Sequence, residues 1–144
     1  MIHVVPLPRF SSKWTINTID FNNKSLESLS IYVAKATINS SRVRKDEVNV
    51  NLYMVSKKEM MSINKTHRNK DCPTNVIACS SDAIPIEIDA MRELGDVYLC
   101  RDVINEESQK EGKLFEDHLA HMIVHGILHL LGYDHEKDQQ EIRM

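Results

Sequence analysis

Cysteine is scarce in this sequence and does not occur in pairs. Only three of the 144 residues are cysteines, Cys72, Cys79 and Cys100, with no C-x-x-C spacing among them. An odd, scattered set argues against a disulfide framework and against a zinc site built from cysteine, and it suits a reducing compartment. We therefore expect a cytoplasmic protein.

Long apolar runs and targeting signals are also missing. The longest apolar run is too short to cross a bilayer. The opening stretch "MIHVVPLPRFSSKW" lacks the charged start, apolar core and cleavage site of a secretory signal. Glycine and proline number four each, and no repeat, low-complexity tract or Pro/Gly-rich linker divides the chain. We expect one compact domain over residues 1–144 and no membrane partner.

Positive charge is not in excess. Eighteen Lys and Arg face 21 Asp and Glu, which gives a formal net charge of -3. A polyanionic partner would therefore have to be attracted by a local basic patch rather than by the field of the whole molecule. A chain of this length buries roughly two-thirds of its unfolded surface, so it does not need a metal merely to hold its fold.

The first half of the sequence contains both helical and strand patterns. Residues 24–39 place apolar side chains at offsets of three and four, which predicts an amphipathic helix. The stretch "EVNVNLYMV" alternates with a period of two and predicts a half-buried strand. Ser56 and Glu59 have the spacing of a capping box, which predicts a helix running to about Thr66.

The second half continues this mixture. The stretches "TNVIACS" at 74–80 and "GDVYLC" at 95–100 predict two strands, and a short helix is expected from Val103 to about Lys110. From Leu114 a strong helical pattern continues to Leu131, where Gly132 stops it. Because the order lacks a regular βαβ rhythm, we predict an α+β fold with a small mixed sheet packed with helices.

Three histidines near the end of the sequence have the spacing of zinc ligands. His125 and His129 lie four residues apart on the predicted helix, about 40° apart around its axis and about 6 Å along it. His135 follows the turn at Gly132 and can return to the same point. Three neutral imidazoles leave one tetrahedral position open for water, which is the arrangement of a catalytic zinc site. The pattern predicts one Zn²⁺ at the end of this helix.

A glycine stands where zinc peptidases carry their general base. In H-E-x-x-H peptidases the glutamate takes a proton from zinc-bound water, whereas this sequence has Gly126. The peptidase route is therefore disfavoured, and we interpret the glycine as a sign of different chemistry. Phosphodiester hydrolysis fits, since a metal can bind a phosphate oxygen or supply hydroxide while a cation neutralises the transition state.

Other histidines have simpler interpretations. His118 and His121 precede the pair on the same predicted helix, and both are read as polar-face or hydrogen-bonded core residues. Of the two, His121 is the better candidate for a supporting or substrate-side role, because it lies one turn before His125.

These residues resemble a known family. "HGILHLLGYDH" at 125–135 is similar to the motif of the YbeY family of bacterial endoribonucleases, which act in ribosomal RNA maturation. The segments "INKTHRNKDCPTNVI", "LGDVYLC" and "AHMIVHG" are also similar to the family, in the same order. The resemblance covers about residues 48–138, and the first 45 residues match only in their general helix-and-strand layout.

The resemblance implies a function and a set of site residues. It implies a single YbeY-like metallohydrolase domain in which His125, His129 and His135 bind zinc and Arg68 lines the catalytic cleft. The implied activity is zinc-dependent, single-strand-preferring RNA cleavage in 16S ribosomal RNA maturation and ribosome quality control. The implied partners are ribosomal RNA, the small ribosomal subunit and its assembly factors.

Arg68 has a chemical reason to act on phosphate. Taken alone it is a solvated arginine in the polar loop "HRNKDCP", but a guanidinium matches phosphate oxygens bidentately and stays charged at any working pH. Lys65, His67 and Lys70 could form a modest basic patch around it. A nuclease with net negative charge needs such a patch.

The sequence departs from the family where this chain reads "TNVIAC". The usual family segment is Thr-Asp-Val-Leu-Ser-Phe, so Asn75 replaces a carboxylate and Cys79 replaces an aromatic ring. A base or an Arg68-orienting carboxylate at position 75 is thereby put in question. Asp96 and Asp134 could each accept the second N–H of a ligand imidazole, although a turn role is the alternative for both.

Two other functions stay open. The chain could be a metallohydrolase of another substrate, including peptides, although Gly126 speaks against a protease. It could also be a non-catalytic, zinc-containing ribosome assembly factor. No side chain is assigned as the general base.

Overall fold

The computed structural model describes residues 10, 13–41, 47–68, 74–80 and 91–132, with the backbone alone for residues 67, 68, 91 and 92. In chain order the elements are β1 (Trp14–Ile19), α1 (Lys24–Ser40), β2 (Glu47–Val55), α2 (Lys57–Arg68), β3 (Val76–Ser80), β4 (Met91–Cys100), α3 (Arg101–Glu111) and α4 (Phe115–Leu130). Within these ranges no helix combines the length and the hydropathy needed to span a membrane.

The strands form one mixed sheet in the order β1-β2-β4-β3. β1 and β4 both run parallel to β2, and β3 pairs antiparallel with β4. Among the described strands, β3 is therefore an edge strand that pairs only with β4. The prediction of an α+β fold with a mixed sheet is confirmed.

Several predicted elements are confirmed, with shifted ends. Ser56 and Glu59 form the capping box, since the Glu59 amide donates to Ser56 Oγ at 3.1 Å and the Ser56 amide donates to the Glu59 carboxylate at 2.9 Å. The helix that they open runs to Arg68, beyond the predicted end at Thr66. Arg68 is thus the last residue of α2, so its placement in a loop was wrong.

The last strand of the sheet is longer than predicted. It begins at Met91, whereas the sequence suggested a start at Gly95. Gly95 has a φ of 133° and lies at a register shift opposite Asn49 and Val50. A glycine inside a strand often marks such a bulge, which allows the strand to continue past it.

The main core lies between the sheet and two helices, α1 and α4. The side chains of β2 that alternate toward this face are buried, as are Val97 and Leu99 of β4. α4 adds a continuous apolar side to this core, formed by Leu119, Met122, Ile123, Ile127 and Leu130. This burial fixes the orientation of α4 on the sheet.

A smaller core lies on the other face of the sheet, under α2. Met60 of α2 packs there with Ile77 of β3 and Cys100 of β4, and all three are buried. Val76 and Ala78, which alternate with Ile77 along β3, pack instead against the main core. The edge strand β3 therefore separates α2 from α4.

Candidate active site

Four histidines follow one side of α4. His118, His121, His125 and His129 are spaced three and four residues apart, so they share a face of the helix. The ring centroids of His118 and His121 lie 6.2 Å apart, and those of His121 and His125 lie 4.6 Å apart, both edge to face. We call these four residues the histidine row.

The histidine row runs from the interior to the surface. His118 is only 4% exposed, His121 and His125 are half-buried, and His129 is exposed. The row thus opens toward solvent at the carboxyl end of α4. That end is where the sequence predicted a metal site.

Two of the three predicted metal ligands lie on this row. His125 and His129 are separated by one turn of the same helix face, as their spacing predicted. His135, the third predicted ligand, lies outside the described residues. Among the described residues, no three His, Cys, Asp or Glu side chains are grouped closely enough to hold a metal ion. The three-histidine site therefore stays a prediction.

The helix approaches the sheet most closely at Gly126. A Cβ atom at this position would lie 2.8 Å from Cγ1 and 3.2 Å from Cγ2 of Val97, and 3.6 Å from Cγ2 of Val76. Any side chain here would have to displace a buried valine on β4. Close packing against β4 thus explains why residue 126 is a glycine. The side of α4 on which it lies cannot carry a general base.

The surroundings of His121 change the pKa of its side chain. Burial lowers the pKa of its imidazole, and the electrostatic influence of Lys113 and His118 lowers that pKa further. At neutral pH the ring is therefore neutral and offers one donor and one acceptor nitrogen. Its ring lies edge to face with that of His125, and its supporting or substrate-side role stays a prediction.

A hydrogen-bonded cluster lies at the buried end of the row. Nε2–H of His118 donates to Oε1 of Glu107 on α3 at 2.8 Å, and Nδ2 of Asn75 donates to the same oxygen at 3.0 Å. Within the described part of the chain, the buried Nδ1 of His118 has no hydrogen-bond partner. His118 is thus a core histidine that is satisfied on one nitrogen.

Asn75, which stands where the family usually has a carboxylate, acts through its amide group. It lies one residue before β3, and its backbone carbonyl accepts a hydrogen bond from the Cys100 amide at 3.0 Å. The side chain donates to Glu107, which a carboxylate could do only if it were protonated. The role of Asn75 in this structure is therefore that of a donor at the start of the edge strand.

The predicted basic patch is only partly described. Lys65 is exposed on α2. The side chains of His67 and Arg68, and all of Lys70, lie outside the described residues. The backbone places Arg68 at the end of α2, on the other side of β3 from the histidine row.

Asp96 is not brought next to the histidine row. It alternates with Val97, which faces α4, so its side chain lies on the opposite face of the sheet. There Asp96 accepts a hydrogen bond from Nδ2 of Asn51 at 3.0 Å. After burial, its negative charge is the second cause that raises the pKa of Tyr98. Asp134, the other candidate, lies outside the described residues.

Glu107 is the site residue that the sequence analysis missed. The sequence predicted a short helix here and no functional residue on it, and in the structure Ile104 and Ser108 on its inner side are buried. Glu107 is adjacent to this side, half-buried. A carboxylate beside the apolar side of an amphipathic helix is the signal that could have identified it, because such a group needs hydrogen-bond partners.

The fold and the histidine row define a small α+β protein with a candidate hydrolase site on α4. The model of the family described as Endoribonuclease YbeY matches residues 12–144. The chain belongs to this family.

A curated relative and a solved structure agree with this assignment. The chain is 42% identical over 109 residues to an endoribonuclease YbeY of Bartonella bacilliformis, a match that covers 76% of this chain and 69% of the relative. The fold is similar to the solution structure of the protein TM1509 from Thermotoga maritima, with a TM-score of 0.54 and 26% identity. That match covers 88% of this chain and 78% of the other. The family resemblance inferred from the motifs is confirmed.

Proposed function

We propose that this protein is a zinc-dependent endoribonuclease that prefers single-stranded RNA and acts in ribosomal RNA processing. The observation that carries the proposal is the placement of His125 and His129 on the open end of the histidine row, in a chain of the endoribonuclease YbeY family. The relative from Bartonella bacilliformis bears the name of an endoribonuclease. A nuclease needs its site open to a polymer, which an exposed His129 permits.

The donor chemistry of the row suits zinc. His125 and His129 offer two imidazole nitrogens from adjacent turns, and His135 would be the third ligand. When bound there, zinc would supply a Lewis acid for a phosphate oxygen and lower the pKa of a water molecule. Because Gly126 leaves no carboxylate beside the ligands, this site differs from that of an H-E-x-x-H peptidase.

The remaining chemistry falls to residues from other elements. Arg68 would bind the scissile phosphate and stabilise the charge that develops on it, since its guanidinium stays protonated. Lys65, His67 and Lys70 would add positive charge along the RNA backbone. The neutral ring of His121 would exchange a proton or a hydrogen bond with substrate next to His125.

The substrate class follows from charge. With a net charge of -3 the protein has little general attraction for a duplex, whereas an unpaired strand can also be held through its bases. We place the activity in 16S ribosomal RNA maturation and ribosome quality control, with the small subunit and its assembly factors as partners. This placement rests on the family.

RNA cleavage by purified variants tests the proposal. A labelled single-stranded RNA and the duplex of the same sequence are incubated with wild-type protein, His125→Ala and His129→Ala, and bound zinc is measured in each preparation. Because metal polarisation contributes several kcal/mol, each substitution is expected to slow cleavage at least about 100-fold. Zinc content should fall with it.

Glu116→Gln is the matched control, since Glu116 is exposed in the first turn of the same helix. It should cleave and bind zinc like the wild type. Unchanged cleavage by His125→Ala would contradict the catalytic proposal. Ribosome association without detectable cleavage by any preparation would favour a non-catalytic assembly factor, and chelator-sensitive peptide turnover would favour another metallohydrolase.

A further inference from the structure

A single carboxylate oxygen connects the two motifs of the candidate site. Oε1 of Glu107 accepts from Asn75 at 3.0 Å and from His118 at 2.8 Å. Its side chain is 36% exposed, whereas that of His118 is only 5% exposed. Hydrogen bonds to an ionised acceptor are roughly twice as strong as neutral ones, and partial burial limits their competition with water.

The two hydrogen-bond partners of Glu107 lie on elements that carry different parts of the candidate site. His118 lies seven residues before His125, which is within about 20° of the same direction around α4. Asn75 ends the segment that follows Arg68, and its carbonyl is bonded to the Cys100 amide. Arg68 and His125 belong to helices on opposite sides of β3. Glu107 therefore links the start of β3 to α4 through hydrogen bonds to Asn75 and His118.

We propose that Glu107 is a positioning residue, which fixes the Asn75 end of the segment after Arg68 relative to the histidine row. This inference rests on the proposed function, because it assigns Glu107 a role in placing the groups that act on RNA. The hydrogen bonds of Glu107 go to Asn75 and His118, so it acts through these two residues.

Asparagine at position 75 fits this role. With a carboxylate at that position, two negative groups would lie about 3 Å apart and repel one another unless they shared a proton. The amide of Asn75 instead offers a donor to Glu107 without added charge. The departure from the usual family residue is thus matched by a partner on α3.

Two substitutions of Glu107 separate positioning from mere packing. Glu107→Gln keeps an oxygen that can accept from both partners, whereas Glu107→Ala removes both hydrogen bonds. Glu106→Gln is the matched control, because Glu106 is adjacent, exposed and paired with Lys57 rather than with the site. Thermal unfolding of all three shows whether any effect arises from loss of fold.

Steady-state cleavage of single-stranded RNA is the first readout. Loss of a supporting hydrogen bond typically lowers activity 10–100-fold, so kcat of Glu107→Ala is expected to fall by about that factor. KM should change by less than about threefold, because misplacement affects the reacting geometry more than the binding of the polymer. Glu107→Gln should retain kcat within about threefold of the wild type, and Glu106→Gln should be unchanged.

The tautomer of His118 is the second readout. Glu107 accepts the proton of Nε2, so nitrogen-resolved NMR of the wild type and Glu107→Gln should show the Nε2–H form. Glu107→Ala should show a mixture of both tautomers. An unchanged His118 spectrum in Glu107→Ala overturns the proposal, and so does a changed spectrum accompanied by wild-type kcat.

A third readout holds even if the proposed function fails. Should the wild-type protein cleave no RNA, hydrogen exchange at the Cys100 amide reports whether Asn75 is held in place. Faster exchange in Glu107→Ala, but not in Glu106→Gln, supports the anchoring of β3 by Glu107. Equal exchange in the two variants overturns it, whatever the RNA assay shows.

Discussion

The two sides of α4 differ in almost every physical property. One side is buried against the sheet through Leu119, Ile123, Gly126 and Ile127, and its side chains are apolar or absent. The other side carries the histidine row, which runs from the buried His118 to the exposed His129 at the carboxyl end of the helix. Sixteen residues of one helix therefore contribute both to the centre of the core and to the candidate site.

This difference changes the meaning of the "HG" pair at 125–126. His125 and Gly126 are neighbours in sequence, yet successive helical residues point about 100° apart. His125 belongs to the row, whereas Gly126 meets Val97 of the sheet. The glycine that replaces a peptidase's glutamate is thus explained by packing. Adjacent residues of α4 thus serve the candidate site and the packing of the core, respectively.

The largest expected effect is a loss of stability when a side chain is added at Gly126, on the buried side of α4. Gly126→Glu should destabilise the protein by more than about 4 kcal/mol, because it overpacks Val97 and buries an unpaired charge. Gly126→Ala should cost about 1–2 kcal/mol, since overpacking outweighs the gain in helix propensity. Urea unfolding of the metal-free proteins measures both.

A double-mutant cycle locates the cause of this effect. In a Val97→Ala background the added methyl group has room, so Gly126→Ala should cost at least about 0.5 kcal/mol less than in the wild type. An equal cost in both backgrounds would show that the helix moves away from the sheet rather than pressing on Val97. Peptidase activity in Gly126→Glu would contradict the packing explanation altogether.

The sequence predicted the parts of the fold that depend on local periodicity. The β2 alternation, the capping box at Ser56 and the long apolar helix all depend on near neighbours, and the structure contains each of them. The first strand was missed as an individual element, although Trp14 and Ile16 alternate with exposed Thr15 and Asn17. Six residues are a short window for a period of two.

Features that depend on distant contacts could not be predicted in this way. Nothing in the sequence near position 126 indicates that Val97 lies 2.8 Å from a hypothetical Cβ atom. Likewise, the link from Asn75 to Glu107 joins residues 32 positions apart. Motif spacing predicted that His125 and His129 share a helix face, whereas the neighbours of that face depend on tertiary packing.

Truncation on the two sides of α4 should sharpen the comparison. Ile123 is fully buried, so Ile123→Ala should lower the free energy of unfolding by about 2–5 kcal/mol. His129 is exposed, and His129→Ala should change it by less than about 0.5 kcal/mol in chelator-treated protein. A loss above about 1.5 kcal/mol from His129→Ala would show that the exposed end of the histidine row helps to hold the fold.

An effect smaller than that of Ile123→Ala is expected at the turn that ends the helix, where a glycine serves conformation rather than packing. Gly132 has a φ of 95°, and among the described residues a Cβ atom there would meet no atom within 4 Å. Gly132→Ala should therefore cost about 1 kcal/mol through backbone strain alone, and Gly132→Asn should cost less, because asparagine tolerates positive φ.

Gly112, with a φ of 69° and equally open surroundings, is the matched control. Because 69° lies nearer to the left-handed minimum, Gly112→Ala should cost slightly less than Gly132→Ala in the same urea titration. A cost at Gly132 as large as that of Gly126→Glu would contradict the distinction, since it would mean that this end of α4 is packed as tightly as its centre.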